Sequence, residues 1–190
     1  MKISLTKSEI VERLRLIAGL APLRTDGTIE YTDGIDINAI LEERLRAWYL
    51  KLLDSGDAIA TAAEDISSLA TVSMFDAPAG GTIIKLPRLC RRVFSIQMQG
   101  WNRACPILTP DWQDTVIALQ QNPFSEAKAD RPIAVMGNDF NAGSVPSIMV
   151  WPYDNAVTTL IGCMDPGPDH YVLDEAALDG LNDIAKSLNL

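Results

Sequence analysis

The chain has few of the side chains from which catalytic and metal sites are usually built. Its 190 residues contain one histidine, His170, and three scattered cysteines, Cys90, Cys105 and Cys163. A structural zinc site needs several Cys or His ligands at matched spacing, and a disulfide framework needs paired cysteines, so this pattern argues against both. A Ser–His–Asp or Cys–His site would have to use His170, and no G-x-S-x-G motif accompanies it. We expect no metal and no cofactor.

Positive charge is scarce in the C-terminal half. Residues 105–190 hold 3 Lys/Arg against 12 Asp/Glu, whereas residues 1–104 hold 13 of each, so the whole net charge of -9 comes from the second half. A protein that binds DNA presents a basic face to the phosphates. We therefore expect no sequence-specific nucleic-acid partner, and solubility is the simplest reason for the acidic excess.

Long apolar runs are also absent. The composition is 47% hydrophobic, which is enough for a core in a chain of this length, but no run approaches the roughly 18 residues that span a bilayer. The first residues carry charges throughout and lack the apolar stretch of a signal peptide. We expect no membrane partner, and a chain that stays in the cytoplasm where it is made or in an assembly built there.

The acidic residues do not form a pattern typical of acid–base catalysis. Several are adjacent in sequence, as in Glu42–Glu43, Glu64–Asp65 and Asp174–Glu175, and neighbours on a helix diverge by about 100°. Gly80-Gly81 has neither a Walker A nor a dinucleotide-binding motif around it and is interpreted as a turn. The sequence predicts that the protein is not an enzyme.

Three segments carry helix signals. Thr6 and Glu9 form a capping box before a helix that ends near Gly19. Asp36 caps a longer helix that reaches Ser55, and either Asp174 or Glu175 begins a final one. The predicted apolar stripe of the second helix consists of Ile37, Ile40, Leu41, Leu45, Trp48, Leu52 and Leu53.

Between these helices the hydrophobic period becomes that of strands. Thr109 and Pro110 begin an inserted helix over 110–121. Helix and strand blocks are segregated, which predicts an α+β fold with N-terminal helices packed with a small antiparallel sheet or sandwich, and a C-terminal helix. The predicted strands are Thr71–Phe75, Thr82–Leu86, Arg92–Gln99, Ile133–Met136, Ser147–Trp151 and Val157–Cys163.

The predicted organisation is a single domain over 1–190. It has a helical part at 1–56 with an arm at 23–34 between two Asp-Gly turns, a β-rich part at 70–165 and the C-terminal helix at 174–190. Residues 58–69 fit either a third helix or an extended crossing.

The most basic stretch contains Arg88, Arg91 and Arg92. These arginines could bind nucleic acid, but no RNP-type, helix-turn-helix or finger pattern surrounds them. Charges at strand edges are the simpler interpretation, and pairing with the acidic half of a neighbouring subunit is a third. The tryptophans Trp48, Trp101, Trp112 and Trp151 are predicted to pack in the core, and the alternative is that they anchor an interface.

Residues 84–101 resemble a segment of the head-to-tail adaptor, or connector ring, proteins of tailed bacteriophages. A strand ends in Leu86-Pro87, a short turn carrying arginine follows, and a strand of Val-x-Ser-Ile type starts at Val93 and runs to Gly100. The order of elements over most of the chain is similar as well, with two N-terminal helices, an inserted region ending near Trp112 and a C-terminal helix.

The resemblance implies a virion protein that forms a ring of about twelve copies. Its partners would be the portal protein and the tail or neighbouring ring proteins, and the ring would surround the DNA channel. In such rings the C-terminal helix commonly docks against the portal, which nominates Leu181, Ile184 and Leu188 as a docking stripe. The alternative is that these residues only cover the protein's own core. Arg88, Arg91 and Arg92 are the candidates for contacts between subunits.

Two other hypotheses remain open. One is a small non-catalytic module that binds an unknown protein partner. The other is an enzyme whose carboxylates come together from distant segments of the chain.

Overall fold

The computed structural model describes residues 1–20, 31–32, 35–77, 80–137 and 146–187. The chain divides into two compact units: Met1–Ala62 with Asp165–Leu190, and Ala63–Met164. We call them unit 1 and unit 2. The boundaries follow the change from helical to strand patterning, and the C-terminal segment belongs to the same unit as the N-terminal helices. That the whole chain is a single domain stays a prediction.

Most strands follow one another in two runs, β4–β8 and β9–β12, and three short segments of the described residues are 3-10 helices: Ser67–Leu69, Pro110–Trp112 and Glu175–Asp179. The other elements, in chain order, are β1 (Lys2–Thr6), α1 (Lys7–Ile17), β2 (Tyr31–Thr32), β3 (Ile35–Asp36), α2 (Ile37–Ser55), β4 (Glu64–Asp65), β5 (Thr71–Ala77), β6 (Gly81–Lys85), β7 (Cys90–Met98), β8 (Cys105–Leu108), α3 (Gln113–Gln120), β9 (Ile133–Met136), β10 (Ser147–Trp151), β11 (Val157–Met164), β12 (His170–Asp174) and α4 (Gly180–Ser187).

In unit 1 the helices α1, α2 and α4 pack against one another, beside an antiparallel pair of β1 and β12. The predicted caps are confirmed. Thr6 and Glu9 form a reciprocal capping box at α1, and the Asp36 carboxylate accepts a hydrogen bond of 3.2 Å from the Ala39 N–H at α2. Gly19 follows α1 with a φ of 71°, a left-handed conformation that glycine adopts easily.

The apolar stripe of α2 differs from the predicted one. The buried residues are Leu41, Leu45, Tyr49 and Leu53, whereas Ile40 is exposed. Tyr49 takes a core position because its ring packs edge-on against Tyr171 at 4.9 Å between centroids and its hydroxyl bonds the β12 backbone. The aromatic body is buried while its polar tip finds a partner.

In unit 2 eight strands form one sheet in the order β4-β11-β7-β8-β9-β10-β6-β5. The α+β class is confirmed, but the sheet is not purely antiparallel, because β8 and β9 run parallel. The helix α3 is inserted between these two neighbouring strands. It carries the chain back to the end of the sheet at which β8 began, so β9 runs in the same direction as β8.

The sheet curls so that its two edge strands approach each other. A flat sheet of eight strands would separate β4 from β5 by about 34 Å, at about 4.8 Å per strand interval. Residues 66–70 connect the two strands and can span only about 20 Å. The enclosed face forms the larger core, which consists of Ile66, Ile84, Leu86, Cys90, Val93, Ile96, Met98, Trp101, Cys105, Ala134, Ile148, Val150 and Leu160.

All six predicted strands lie within about two residues of strands in the structure, although β5 continues to Ala77. The patterning missed β1, β8 and β12, which are short or pair with distant segments. His170 begins β12, because β1 pairs with this segment. Residues 58–69 contain turns, β4 and a 3-10 helix, so neither a third helix nor one extended crossing is found. Most of the predicted arm at 23–34 lies outside the described residues.

Candidate interaction surface

The helix α3 covers the outer face of the unit 2 sheet with only one of its sides. Val116 is buried there with Ala127, Val135, Met149 and Trp151. On its other side Leu119 is 41% exposed, and Trp112, in the 3-10 turn that leads into the helix, is 54% exposed. Core packing was predicted for Trp112, and this prediction is wrong because the tryptophan precedes the α-helical turns that contact the sheet.

Phe124 follows α3 and is 92% exposed, although the loop that carries it is tied down by hydrogen bonds. The Asn122 side-chain oxygen accepts from the Phe124 N–H at 3.0 Å, and the Ser125 hydroxyl donates to the Leu119 carbonyl at 2.8 Å. We call Trp112, Leu119 and Phe124 the α3 face. A large aromatic side chain held in water by a bonded loop costs solvation free energy, and such groups are typical of protein contact sites.

The side chain of Gln120 also holds this loop in place through hydrogen bonds. Its buried side-chain oxygen accepts from the Ala127 N–H at 2.7 Å, and its amide donates to the Val116 carbonyl at 3.2 Å. Buried polar groups are stabilising only when they are bonded in this way. The apolar side chains of the α3 face are therefore presented on a defined backbone.

The second exposed feature of unit 2 is the turn between β6 and β7. The Cys90 N–H donates to the Pro87 carbonyl at 2.9 Å and closes the turn, and the flanking Leu86 and Cys90 are buried. Arg88 and Leu89 at its tip are exposed, Leu89 to 55%. We call residues 85–92 the basic turn, since they carry four cationic side chains and no acid.

The three arginines predicted for subunit contacts all lie in the basic turn. Arg88 and Arg91 are exposed. Arg92 is half-buried, and its guanidinium lies 5.1 Å from the centre of the Phe94 ring, a cation–π arrangement. The three arginines are therefore close together in the chain but differ in exposure.

The predicted docking stripe has a different environment. Leu181 and Ile184 are buried in unit 1, Leu181 to 1% exposure, and Leu188 lies outside the described residues. Their burial agrees with the alternative that these residues cover the protein's own core. Leu16 and Ile17 on α1 are among the exposed apolar side chains of this unit, and they line an open groove of about 320 Å³ with Arg13, Leu178 and Leu181.

The thiols are arranged for packing. Burial raises the pKa of the Cys90 thiol and that of the Cys105 thiol to about 12, and Cys163 is buried too. A thiol is nucleophilic only as the thiolate, so at neutral pH Cys90 and Cys105 are protonated and unreactive. His170, the only histidine, is exposed at the start of β12.

Among the residues that the structure describes, no group of three or more His, Cys, Asp or Glu side chains could hold a metal ion. Within the same ranges, no helix has the length and apolar character that crossing a bilayer requires.

Sequence reasoning missed Leu119 and Phe124 as surface residues. A signal was present for the first: Ile117 and Leu119 are two positions apart and diverge by about 200° on a helix, so both cannot face one sheet. Phe124 stands in a segment interpreted as a loop, where an isolated apolar residue carries no periodic signal.

Comparison with models of known protein families finds no match, and comparison with the curated proteins finds no similar chain.

Proposed function

We propose that the chain is a structural protein of a tailed-phage virion, a subunit of the connector ring between the portal and the tail. The observation that carries the proposal is the strand–turn–strand unit at β6 and β7. β6 ends just before Leu86-Pro87, a turn exposes Arg88, and β7 runs to a turn containing Gly100. The sequence resemblance to connector proteins rests on this same unit.

The exposed side chains of unit 2 suit a protein that functions through contacts with other proteins. Phe124, Trp112 and Leu89 are each more than half exposed on hydrogen-bonded turns or at the start of a helix. Aromatic residues are enriched where protein interfaces gain most of their binding free energy. We propose that these residues meet the portal, tail or neighbouring ring proteins, and that the protein has no catalytic role.

The charge distribution fits a DNA conduit. The net charge of -9 would limit tight binding to a nucleic-acid backbone, because like charges repel over about a Debye length. A channel through which DNA passes works best when its wall does not hold the phosphates. The proposed location is accordingly the virion, assembled in the host cytoplasm.

Co-expression with the portal protein of the same genome tests this proposal. A tag on the portal should retain the chain through purification, and electron microscopy of the eluate should show a ring below the portal. Failure to co-purify with the portal or with any virion component would refute it. A tagged soluble protein of similar net charge is the control for nonspecific retention.

A non-catalytic module that binds an unknown protein is the second candidate, and the groove of unit 1 favours it. Leu16 and Ile17 are exposed beside Leu178 in an open, largely apolar depression, which could take the apolar face of a partner helix. Leu16→Glu separates the two candidates. The variant should still join the portal complex if the chain acts through unit 2, and should lose its partner if the groove is the working site.

A further inference from the structure

We propose that the basic turn of one copy binds the α3 face of the next copy, a heterologous contact that repeats around a ring. This inference rests on the proposed function, because it names the self-contact through which the connector would assemble. The occupant of the α3 face is thus a second copy of this chain.

The two surfaces are separate parts of unit 2. Lys85 at the end of β6 pairs with Ser147 at the start of β10, and Met136 at the end of β9 pairs with Ile148. Because β8 is parallel to β9, the chain leaves β6 and β8 at the same end of the sheet. Three strand intervals lie between these two exits in the order β8-β9-β10-β6, or about 14 Å along the sheet.

The charges of the two surfaces are complementary. Residues 85–92 contain Lys85, Arg88, Arg91 and Arg92 without an acid, whereas residues 105–127 contain Asp111, Asp114 and Glu126 without a base. Asp111 and Asp114 are exposed beside Trp112. Opposite charges around an apolar centre fix the orientation of a contact and accelerate its formation.

The apolar side chains match as well. Leu89 at the tip of the basic turn is 55% exposed, and Trp112, Leu119 and Phe124 of the α3 face are exposed as well. In the proposed contact Leu89 packs against these side chains as the apolar centre of the interface, and the charged groups form its rim.

Two different surfaces in contact give a particular kind of assembly. A contact between unlike patches leaves one patch unused at each end, so copies add until the rotation closes a ring. An isologous dimer would instead use both patches at once and stop at two copies.

Crosslinking tests the contact in the purified chain alone. Leu89→Cys and Leu119→Cys are combined in one chain and treated at high concentration with a short bis-maleimide. The native thiols are buried, and the unmodified chain measures any background from them. The expected result is a ladder of products beyond the dimer on a denaturing gel. An equal mixture of the two single variants should give the dimer only.

Matched variants show whether the α3 face is responsible. Adding Phe124→Ser to the double-cysteine chain should lower the yield of crosslinked products about tenfold, and high salt should lower it as well. Leu69→Ser removes another exposed apolar side chain of unit 2 and should leave the ladder unchanged. Circular dichroism verifies that each variant is folded.

The outcomes are distinguishable from those of the portal experiment. A chain that stays monomeric and gives no ladder overturns the head-to-tail contact, even when it co-purifies with the portal. Products that stop at the dimer in the double-cysteine chain overturn it in favour of an isologous pair. A ladder in a chain that never joins a virion complex supports the self-contact and refutes the connector.

Discussion

The hydroxyl of Tyr49 forms two hydrogen bonds with the backbone of Val172, accepting from its N–H and donating to its carbonyl, each at 3.0 Å. One side chain of α2 thereby satisfies both polar groups of a residue in β12, in the place where a further strand would otherwise pair. This contact and the packing of Tyr49 on Tyr171 join the C-terminal segment to the N-terminal helices of unit 1.

Tyr49→Phe should lower the free energy of unfolding of unit 1 by about 1–3 kcal/mol, because two partly buried backbone groups lose their partner while the ring packing stays. Urea denaturation followed by circular dichroism measures the change. Tyr153→Phe, at a half-exposed position, is the control and should change it by less than about 0.5 kcal/mol. Equal losses in both variants would contradict the assigned role.

Gly81→Ala should destabilise unit 2. A Cβ at this position would lie 2.5 Å from the Trp151 indole nitrogen and 2.7 Å from the Val150 carbonyl oxygen, so the strands β6 and β10 would have to shift. Overpacking of this kind costs about 1–3 kcal/mol. Denaturation followed by tryptophan fluorescence reports on it. Gly80→Asn is the matched control, since Gly80 has a φ of 76° and open space around it, and asparagine tolerates that conformation.

The stability of unit 2 should decrease in acid because of Asp65. Hydrogen bonds from the Ser67 and Leu160 N–H groups hold the pKa of this carboxyl below its ordinary value of 3.8. The stabilisation is complete above that value and is lost as the pH falls through the lower pKa of the folded state. Asp65→Asn should therefore lower the urea midpoint at pH 7, and the difference should shrink in strong acid. Asp130→Asn, at an exposed position, is the matched control and should change the free energy of unfolding at pH 7 by less than about 0.5 kcal/mol.

The cysteines should resist modification in the native protein. Because burial raises the pKa of Cys90 and Cys105 to about 12, a disulfide reagent at pH 8 should label almost no thiol in buffer and all three in denaturant. Rapid labelling of the native protein would contradict their burial. The raised pKa values of Cys90 and Cys105 also make the free energy of unfolding depend on pH. It should fall as the pH rises above about 9, the ordinary pKa of a thiol, because these thiols then ionise in the unfolded chain but not in the folded one.

Gln120 should determine how well the loop of Phe124 is ordered. Gln120→Leu leaves the buried Ala127 N–H without its acceptor, which costs about 1–3 kcal/mol. Limited digestion with chymotrypsin should cut after Phe124 faster in this variant than in the parent. Gln121→Leu changes the neighbouring exposed residue and should leave the cleavage rate unaltered.

The helix boundaries could be predicted because their signals are local. Thr6 and Asp36 cap α1 and α2, and α2 ends at Ser55, as predicted, since a cap is a hydrogen bond between residues about three apart. The longer strands were predicted for a similar reason: alternation over a few residues already distinguishes an inner from an outer face.

The candidate surface was only partly predictable. Arg88 and Arg91 were nominated from sequence, and the structure finds both exposed, Arg88 on the turn before β7 and Arg91 at the start of that strand. Trp112 was expected inside, and Phe124 was not considered, because the exposure of an apolar side chain depends on where α3 meets the sheet. That position is determined by strands that are distant in sequence.

The sequence by itself determined the α+β class, the caps of the helices and the uneven charge, because each depends on composition or on neighbours within one or two turns. Only the tertiary structure decided that β8 and β9 run parallel, that Leu181 and Ile184 are buried in unit 1, and which apolar side chains of unit 2 remain in water. These features depend on pairing between segments far apart in the chain, and the free energy of such pairing comes from packing that no local pattern contains.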